Sequence, residues 1–295
     1  MQGDKRTSYL FVLPAILVLL VLTTFPIVYT FYLSFFKVIP SSFAQKSFPF
    51  AGLQNYITVL SDIDFWQSIL HTLYMVFFAV TIECGIGLGL ALVFTREFRV
   101  KKWVIPILII PTLIVPIAAG YTFKLFFTLN YGILSYLSNV LTGQTIPWLM
   151  NGSYATWAII ITDVWEWSPF MFMMLLAGTT GIPNEIVEAA QLDGAGSRMM
   201  FTNVILPMLR PVILVALLVR SIDASKLFDI IYMLTGGGPG NSTLTLTFYI
   251  FNQNFVYFNQ GYGAAASLVM LIVIMLATNV FIRAGAWFPG KRSAR

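Results

Sequence analysis

The stretch from residue 182 to residue 211 reads IPNEIVEAAQLDGAGSRMMFTNVILPMLRP. Pro183 stands where a helix can begin, and the acidic residues Glu185 and Glu188 follow near the positive end of that helix. Gly194 breaks the helical pattern, and a second amphipathic piece follows it. The stretch therefore predicts two short helices that meet at a glycine turn and form a rigid knob.

The sequence on both sides of this knob is unusually apolar. Hydrophobic residues make up 58% of the 295-residue chain, charged residues make up 10%, and the mean hydropathy is +0.82. Ordinary soluble domains are about 45–50% apolar and about 25% charged. Because a water-soluble fold cannot hide this much apolar surface, the composition predicts an integral membrane protein. We expect residues 1–295 to form a single polytopic domain.

Six apolar segments are long enough to cross a bilayer, which takes a helix of about 20 residues. The fifth segment carries four charged residues from Arg220 onward, but the number of loops and the charge balance require that it also span. The expected fold class is therefore an all-α membrane protein with about six transmembrane helices. The segments are Tyr9 to Phe36, Ile69 to Phe94, Trp103 to Phe127, Tyr154 to Thr180, Pro207 to Leu234, and Tyr262 to Phe288.

The basic residues flank these segments and do not cluster with aromatic residues, which argues against nucleic acid as a partner despite a net charge of +5. Lys5 and Arg6 precede a first segment that has no small-residue cleavage site, so we expect an uncleaved first span. With the amino terminus in the cytosol, 12 of the 17 basic residues lie inside, as the positive-inside rule requires of a protein with both termini cytosolic. These 12 residues are Lys5, Arg6, Arg96, Arg99, Lys101, Lys102, Arg198, Arg210, Arg283, Lys291, Arg292 and Arg295.

The knob, which this orientation places in the cytosol, resembles the EAA loop of ABC importer permeases. The resemblance rests on Glu188-Ala189-Ala190, on Gly194 and on the segment Val204 to Pro207, where Val204 replaces the usual isoleucine. It implies a type I ABC importer permease fold in which the loop is a cytosolic coupling helix that docks on an ATPase subunit. The residues it assigns to ATPase coupling are Glu188, Ala189, Ala190, Asp193, Gly194 and Pro207.

A second motif resembles carbohydrate-importing permeases of the maltose type. The segment Phe228 to Pro239 reads FDIIYMLTGGGP and is similar to the end of the fifth helix in that family, and Phe25-Pro26 and the segment Gly52 to Tyr56 also suit it. The resemblance covers nearly the whole chain and implies a sugar or oligosaccharide as the transported solute. The large outer domain of the enteric maltose permease is missing here.

Together these resemblances imply the membrane subunit of an ATP-driven, binding-protein-dependent importer in a bacterial or archaeal cytoplasmic membrane. The implied partners are a second homologous permease, two ATP-binding subunits, an extracytoplasmic solute-binding protein and membrane lipid. Alternating access is then driven by the partner ATPases, and this chain is not itself an enzyme. A homodimeric pair of permeases is also possible.

Sugar recognition requires flat aromatic surfaces and polar groups that satisfy the hydroxyls. In maltose-type relatives the sugar site in the middle of the membrane uses the fourth and fifth helices, and the resemblance places matching stretches of this chain there. Packing of the aromatic rings against neighbouring helices is an equal alternative. The residues expected along the substrate pathway are Trp167, Phe170, Glu166, Asp223, Ser225 and Lys226.

The charged residues inside the apolar segments leave alternatives open. An ionised side chain near the bilayer centre costs about 2.5–3.5 kcal/mol on insertion scales, so it tends to face a cavity or a partner. Arg220 and Asp223 stand three residues apart, which suits a structural ion pair as well as solute contact. Glu83, Asp163 or Asp223 would relay ions if the protein were an ion-coupled secondary transporter, which is the alternative function. The coupling loop argues against that alternative.

The sequence offers no set of residues for a metal, a cofactor or hydrolytic chemistry. His71 is the only histidine and Cys84 the only cysteine. The segment Gly236 to Gly238 is not followed by the Lys-Ser/Thr of a phosphate-binding loop, and Gly285 with Gly290-Lys291 lacks the Ser/Thr. We therefore expect a turn at the first of these sites and no nucleotide site at the second.

Three glycines in the second apolar segment, Gly85, Gly87 and Gly89, fit close packing of helices in the membrane. Small residues allow two helix backbones to approach each other. We expect the second span to contact another helix here.

Overall fold

The computed structural model describes residues 5–45, 47–96 and 99–286, and within these ranges the protein is all-α, as the sequence predicts. Among these residues, β-type pairing is confined to one isolated antiparallel bridge between Phe36 and Phe50. The α-helices are α1 (Lys5–Leu33), α2 (Pro40–Gln45), α3 (Gln54–Ser61), α4 (Ile63–Phe94), α5 (Lys101–Ile109), α6 (Pro116–Phe127), α7 (Ile133–Thr142), α8 (Gly152–Thr180), α9 (Asn184–Leu192), α10 (Ser197–Met199), α11 (Leu206–Ala224), α12 (Asp229–Leu234), α13 (Leu246–Phe251) and α14 (Gln260–Ala286). A 3₁₀ turn covers Ile110–Leu113, and π-helical turns cover Met200–Ile205 and Asn252–Val256.

Five helices are long and apolar enough to cross a membrane, and a bent pair brings the number to six. This confirms the prediction of about six spans. The end of the sixth predicted segment and the basic residues from position 291 onward lie outside the described ranges, as does the Gly290-Lys291 pair. The five straight spans are Val12–Leu33, Ile63–Phe94, Gly152–Thr180, Ser197–Ala224 and Gln260–Arg283.

The third predicted span is not one straight helix. The segments Lys101–Leu113 and Pro116–Phe127 meet at an angle of 94°. Ile114 and Val115 between them are extended, with ψ angles of 138° and 130°. The bend follows from Pro116, because a proline disfavours helical geometry in the residue before it and donates no backbone hydrogen bond.

The fifth span is shorter than the apolar segment that predicts it. Helix α11 ends at Ala224, and Asp229 opens the separate short helix α12. Lys226 and Asp229 therefore lie beyond the end of the long helix, which removes two of the four charges that the sequence places from Arg220 onward. Helix α12 lies against α6 at Gly120, where an added Cβ would come 3.2 Å from the Ile230 Cα atom.

The described contacts group into two compact units, and the first comprises the chain up to Trp66 together with Tyr249–Val273. In this unit the Gly52 to Tyr56 motif has a structural role. The Asn55 side-chain amide donates to the carbonyl oxygens of Ser34 and Phe36, at 2.7 and 3.0 Å, and the Tyr56 and Ser34 hydroxyls lie 2.6 Å apart. These bonds satisfy the free carbonyl groups at the carboxyl end of α1.

A second polar cluster in this unit centres on Asp62, just before α4. Its Oδ1 atom accepts from the Asp64 backbone N–H at 2.8 Å, and its Oδ2 atom accepts from the hydroxyls of Tyr249 and Tyr262 at 2.6 and 2.7 Å. Burial alone would raise the pKa of Asp62, but these hydrogen bonds outweigh burial and hold its pKa below the usual aspartate value. Burial and the bond to Asp62 raise the pKa of Tyr249. The cluster is therefore an aspartate with two neutral tyrosine donors.

The second unit comprises Gln67–Phe248 and the chain from Ile274 onward. Its core joins α4 to α8, where Ala91 and Phe94 contact Phe172 and Leu175. Of the three glycines expected at a helix contact, Gly87 alone meets one. A Cβ added there would lie 2.7 Å from the Met171 Cβ atom, whereas Gly85 and Gly89 have nothing within 4 Å. The two helix backbones therefore approach each other closely at Gly87.

We predict that Gly87→Ala lowers the stability of the protein by about 1–3 kcal/mol, because the added methyl group forces α4 away from α8. Gly85→Ala and Gly89→Ala are matched controls on the same helix, and alanine favours a helix there by up to about 1 kcal/mol. Thermal unfolding of the detergent-solubilised variants measures the difference. Equal midpoints for all three variants would contradict the contact.

We also predict that the stability contributed by Asp62 depends on pH. Because the folded-state pKa is lowered, this contribution is fully present above the ordinary aspartate pKa of about 4 and is lost as the pH falls through the lowered value. At pH 7, Asp62→Asn should cost about 1–2 kcal/mol, and its deficit relative to the native protein should shrink towards pH 3. Thermal midpoints between pH 3 and 7 test this, with Asp64→Asn as the control. Parallel profiles for Asp62→Asn and the native chain would refute it.

Candidate functional site

A buried ion network within the second unit joins three membrane-spanning helices. Arg220 on α11 is 1% exposed. Its Nε and Nη2 atoms donate to the two carboxylate oxygens of Glu83 on α4, at 2.8 and 3.0 Å. Nη2 also donates to Asp163 Oδ2 on α8 at 2.5 Å, and Nη1 lies 3.4 Å from Asp223 Oδ2. A guanidinium suits this position because its planar fork matches a carboxylate with two parallel bonds.

The Arg220 network is a strong constraint on the fold. A charge taken out of water is tolerated only when partners replace its hydration, and removing one partner of a buried pair typically costs about 3–5 kcal/mol. The Trp167 ring covers a further side of the guanidinium, whose Cζ atom lies 5.0 Å from the ring centroid. The network therefore fixes the rotation of α11 relative to α4 and α8.

A cavity of about 180 Å³ opens beside the network. It lies where α11 ends and the chain turns into α12. Its wall combines charged groups with flat aromatic rings. Lys226 lies at its wall with Nζ 3.7 Å from Asp223 Oδ1. The polar and aromatic residues around the cavity are Asp163, Trp167, Arg220, Asp223, Lys226, Phe228 and Asp229.

Three of the six residues expected along the substrate pathway, Trp167, Asp223 and Lys226, line this cavity. The other three do not. The Phe170 ring meets the Trp167 ring edge-on with centroids 6.2 Å apart, and the Ser225 hydroxyl donates to the Ile222 carbonyl oxygen at 2.7 Å. Each of these two groups is engaged next to the cavity.

Glu166 is buried deeper, at 1% exposure. Its backbone carbonyl accepts from the Thr112 hydroxyl at 2.7 Å, which ties the bent third span to α8. Its Oε2 atom has no hydrogen-bond partner among the described residues. The position of Glu166 therefore suits a helix contact better than contact with solute in the cavity.

The first half of the predicted knob, residues 182–194, forms as the sequence predicts. Helix α9 carries Glu188, Ala189 and Ala190, and Gly194 ends it with a φ angle of +82°, a conformation that favours glycine. No residue of α9 is buried, and Leu192 at its end is 90% exposed. Helix α9 is therefore exposed along its length and available for contact with another protein.

The second half of the knob differs from the prediction. The expected second short helix is the start of the fifth span, because Ser197–Ala224 is one continuous helix. The π-helical turn Met200–Ile205 lies within it, just before Pro207 in the first turn of α11. Proline has no backbone N–H, and a widened turn accommodates that loss. The knob is thus joined directly to the helix that carries Arg220.

Comparison with known proteins agrees with this arrangement. Residues 84–285 match the family described as the binding-protein-dependent transport system inner membrane component. The chain belongs to this family. The permease is 36% identical over 285 residues to the trehalose/maltose transport system permease protein MalF of Thermococcus litoralis, covering 96% of this chain and 94% of the relative.

Other comparisons extend this result. The permease is 36% identical over 281 residues to the sulfoquinovosyl glycerol transport system permease protein SmoG of Agrobacterium fabrum, covering 95% of this chain and 91% of the relative. A crystal structure of a bacterial alginate ABC transporter, in complex with an alginate pentasaccharide-bound periplasmic protein, matches with a TM-score of 0.79 at 20% identity, covering 93% and 92% of the two chains. This confirms the predicted type I ABC importer permease fold.

Four further residues line the cavity of the permease, namely Asp163, Arg220, Phe228 and Asp229. The sequence analysis named Asp163 and Arg220 among the charged residues inside apolar segments, but it did not expect Phe228 or Asp229 at the substrate pathway. It considered Arg220 for solute contact or for an ion pair along its own segment, and it did not identify the partners of Arg220 on other helices. The available signal was that three apolar segments each carry an ionisable residue, since buried charges in a membrane need opposite partners. That signal does not say which faces meet, because Glu83 and Arg220 are 137 positions apart.

His71, the only histidine, lies next to a backbone carbonyl group. Its Nδ1 atom lies 3.3 Å from the Leu244 carbonyl oxygen. Within the described ranges no group of three or more histidine, cysteine, aspartate or glutamate side chains is arranged to hold a metal ion.

The glycines at 236 and 237 have positive φ angles and end α12, as a helix-ending turn requires.

We predict that Arg220→Met destabilises the permease by about 3–5 kcal/mol, because Glu83 and Asp163 would remain buried without their cation. Lys226→Met is the control, since the pair of Lys226 with Asp223 is about half exposed and is worth about 1 kcal/mol or less. Thermal unfolding in detergent compares the two variants. Equal losses would show that the buried network does not hold the helices together.

Proposed function

We propose that this chain is the transmembrane permease subunit of an ATP-driven, binding-protein-dependent importer of a sugar or oligosaccharide. The observation that carries the proposal is similarity along nearly the full chain to permeases named for saccharide transport. The cavity supports the same substrate class, because the rings of Trp167 and Phe228 lie beside polar groups that can pair with hydroxyls. We assign the sugar pathway to this cavity, with Trp167, Asp223 and Lys226 at its wall.

The coupling path follows from the continuous fifth helix. Helix α9 with Glu188 to Gly194 docks on an ATPase subunit, and the exposed Leu192 supplies apolar contact there. From Ser197 to Arg220 the helix extends over roughly 35 Å at about 1.5 Å per residue. Movement of the knob during ATP hydrolysis is thereby transmitted to the Arg220 network and the adjoining cavity, which alternately opens to each side of the membrane.

The proposed complex contains a second homologous permease, two ATP-binding subunits and an extracytoplasmic solute-binding protein. A structural relative binds a saccharide-loaded periplasmic protein in its crystal, which supports the last of these partners. The partner subunits hydrolyse ATP, and this chain supplies the solute path. The distribution of basic residues supports both termini in the cytosol and a location in the cytoplasmic membrane, with residues 1–295 acting as one transmembrane domain.

Ion-coupled transport is the weaker alternative. It would use Glu83, Asp163 or Asp223 to carry the ion, but all three contact Arg220. An exposed coupling helix also has no role in an ion-driven carrier. Family membership and geometry both favour the ATP-driven importer.

We predict that Glu188→Lys lowers saccharide-stimulated ATP hydrolysis at least tenfold, because it reverses the charge at the centre of the docking surface. Glu185→Lys is the matched control, since it makes the same change on the same exposed helix outside the motif. The chain is co-purified with its ATPase and binding protein, and hydrolysis is recorded with trehalose or maltose. A native chain that binds no ATPase, and whose solute uptake follows an ion gradient, would overturn the proposal.

A further inference from the structure

The charge of the transported saccharide is not decided by family membership. The relatives described above are named for trehalose and maltose, which are uncharged, and for sulfoquinovosyl glycerol and alginate, which are anionic. The cavity wall in this chain contains two cations, Arg220 and Lys226, that an acidic solute would need. Whether either cation is available to solute is therefore the physical question, on the assumption that the proposed sugar pathway is correct.

Arg220 is not available. Two of its nitrogen atoms are bound to Glu83 and Asp163, the third lies near Asp223, and the Trp167 ring covers its face. Its exposure is 1%. An anionic solute would have to displace a carboxylate that already makes a charge-assisted bond. Arg220 therefore connects the helices and does not bind solute.

Lys226 is exposed, but its positive charge is balanced by a neighbouring carboxylate. Its ammonium group lies 3.7 Å from Asp223, a carboxylate that it shares with Arg220. Asp229, at the start of α12, is exposed and forms no ion pair within the described ranges. The cavity wall thus holds three carboxylates against two cations, and Glu83 behind Arg220 adds a fourth. If one buried carboxyl group carried a proton, the wall and Glu83 together would still carry a net negative charge.

We infer that this cavity selects an uncharged, hydroxyl-rich saccharide and rejects solutes that carry a carboxylate, sulfonate or phosphate. Trp167 and Phe228 contribute apolar ring surface to the cavity wall, although the Arg220 guanidinium lies against one face of Trp167 and the Tyr232 ring stacks on Phe228. Asp223 and Asp229 accept from sugar hydroxyls, and Lys226 donates to them. An acidic saccharide would bring a like charge to Asp229, whose negative charge is not compensated locally.

Direct binding to the importer complex, without its binding protein, tests this inference. Intrinsic tryptophan fluorescence is titrated with trehalose and maltose and with a glucuronic-acid-containing disaccharide of the same size, and Trp167→Phe identifies the signal from the cavity. We expect the native complex to bind the neutral disaccharides at least tenfold more tightly. Asp229→Asn should reduce this ratio at least threefold.

Asp64→Asn is the control for the charge change, because Asp64 is also an acid in the first turn of a helix, α4, and does not line the cavity. It should leave the ratio unchanged. Equal or tighter binding of the acidic disaccharide by the native complex would overturn the inference, and so would a ratio insensitive to Asp229→Asn. Failure of every saccharide to bind would also overturn it. The ATPase co-purification described above then shows independently whether the importer assignment falls with it.

Discussion

The bonds of Arg220 to Glu83 and Asp163 are the constraint on which the membrane-spanning part of the second unit depends. Lipid provides no hydration for a charge, so each of these groups is acceptable only because the others are present. Apolar packing between helices in a membrane tolerates rotation and sliding, because lipid tails are as apolar as leucine. An ion network does not tolerate them. One buried guanidinium and its carboxylate partners therefore hold three helices in one arrangement.

This arrangement also explains how a charged cavity exists beside an apolar core. The chain leaves the helix at Ala224, immediately after the network, and the next charges lie on the turn instead of inside the span. The backbone groups freed there are satisfied locally, as the Ser225 and Thr245 hydroxyls show by donating to the Ile222 and Leu227 carbonyls at 2.7 and 3.2 Å. Irregular backbone at such depth is stable only where protein or a cavity surrounds it.

Much of this could be predicted from the sequence. Hydropathy identifies the spans, and Gly194 marks the end of α9, where the structure has a positive φ angle. Trp167, Asp223 and Lys226 line the cavity and were expected along the substrate pathway because sugar chemistry requires aromatic and polar groups together and because the resemblance places matching stretches there; their contact with solute stays a prediction. The bend at Val115 and the end of α11 were not predicted, because a hydropathy average over a long window does not detect a proline or a break of four residues. The partners of Arg220 were also missed, since the side of a helix that meets another is a property of packing and not of local sequence.

The π-helical turn at Met200–Ile205 has a consequence for how such chains can diverge. Each residue added to or removed from an α-helix turns everything beyond it by about 100° around the axis. The phase of α11 is fixed at Arg220, so the widened turn determines the direction in which α9 points. A one-residue deletion between Ala195 and Pro207 would leave every residue of α9 intact and direct this helix away from its partner. The number of residues in this connection is therefore constrained as strictly as their identity.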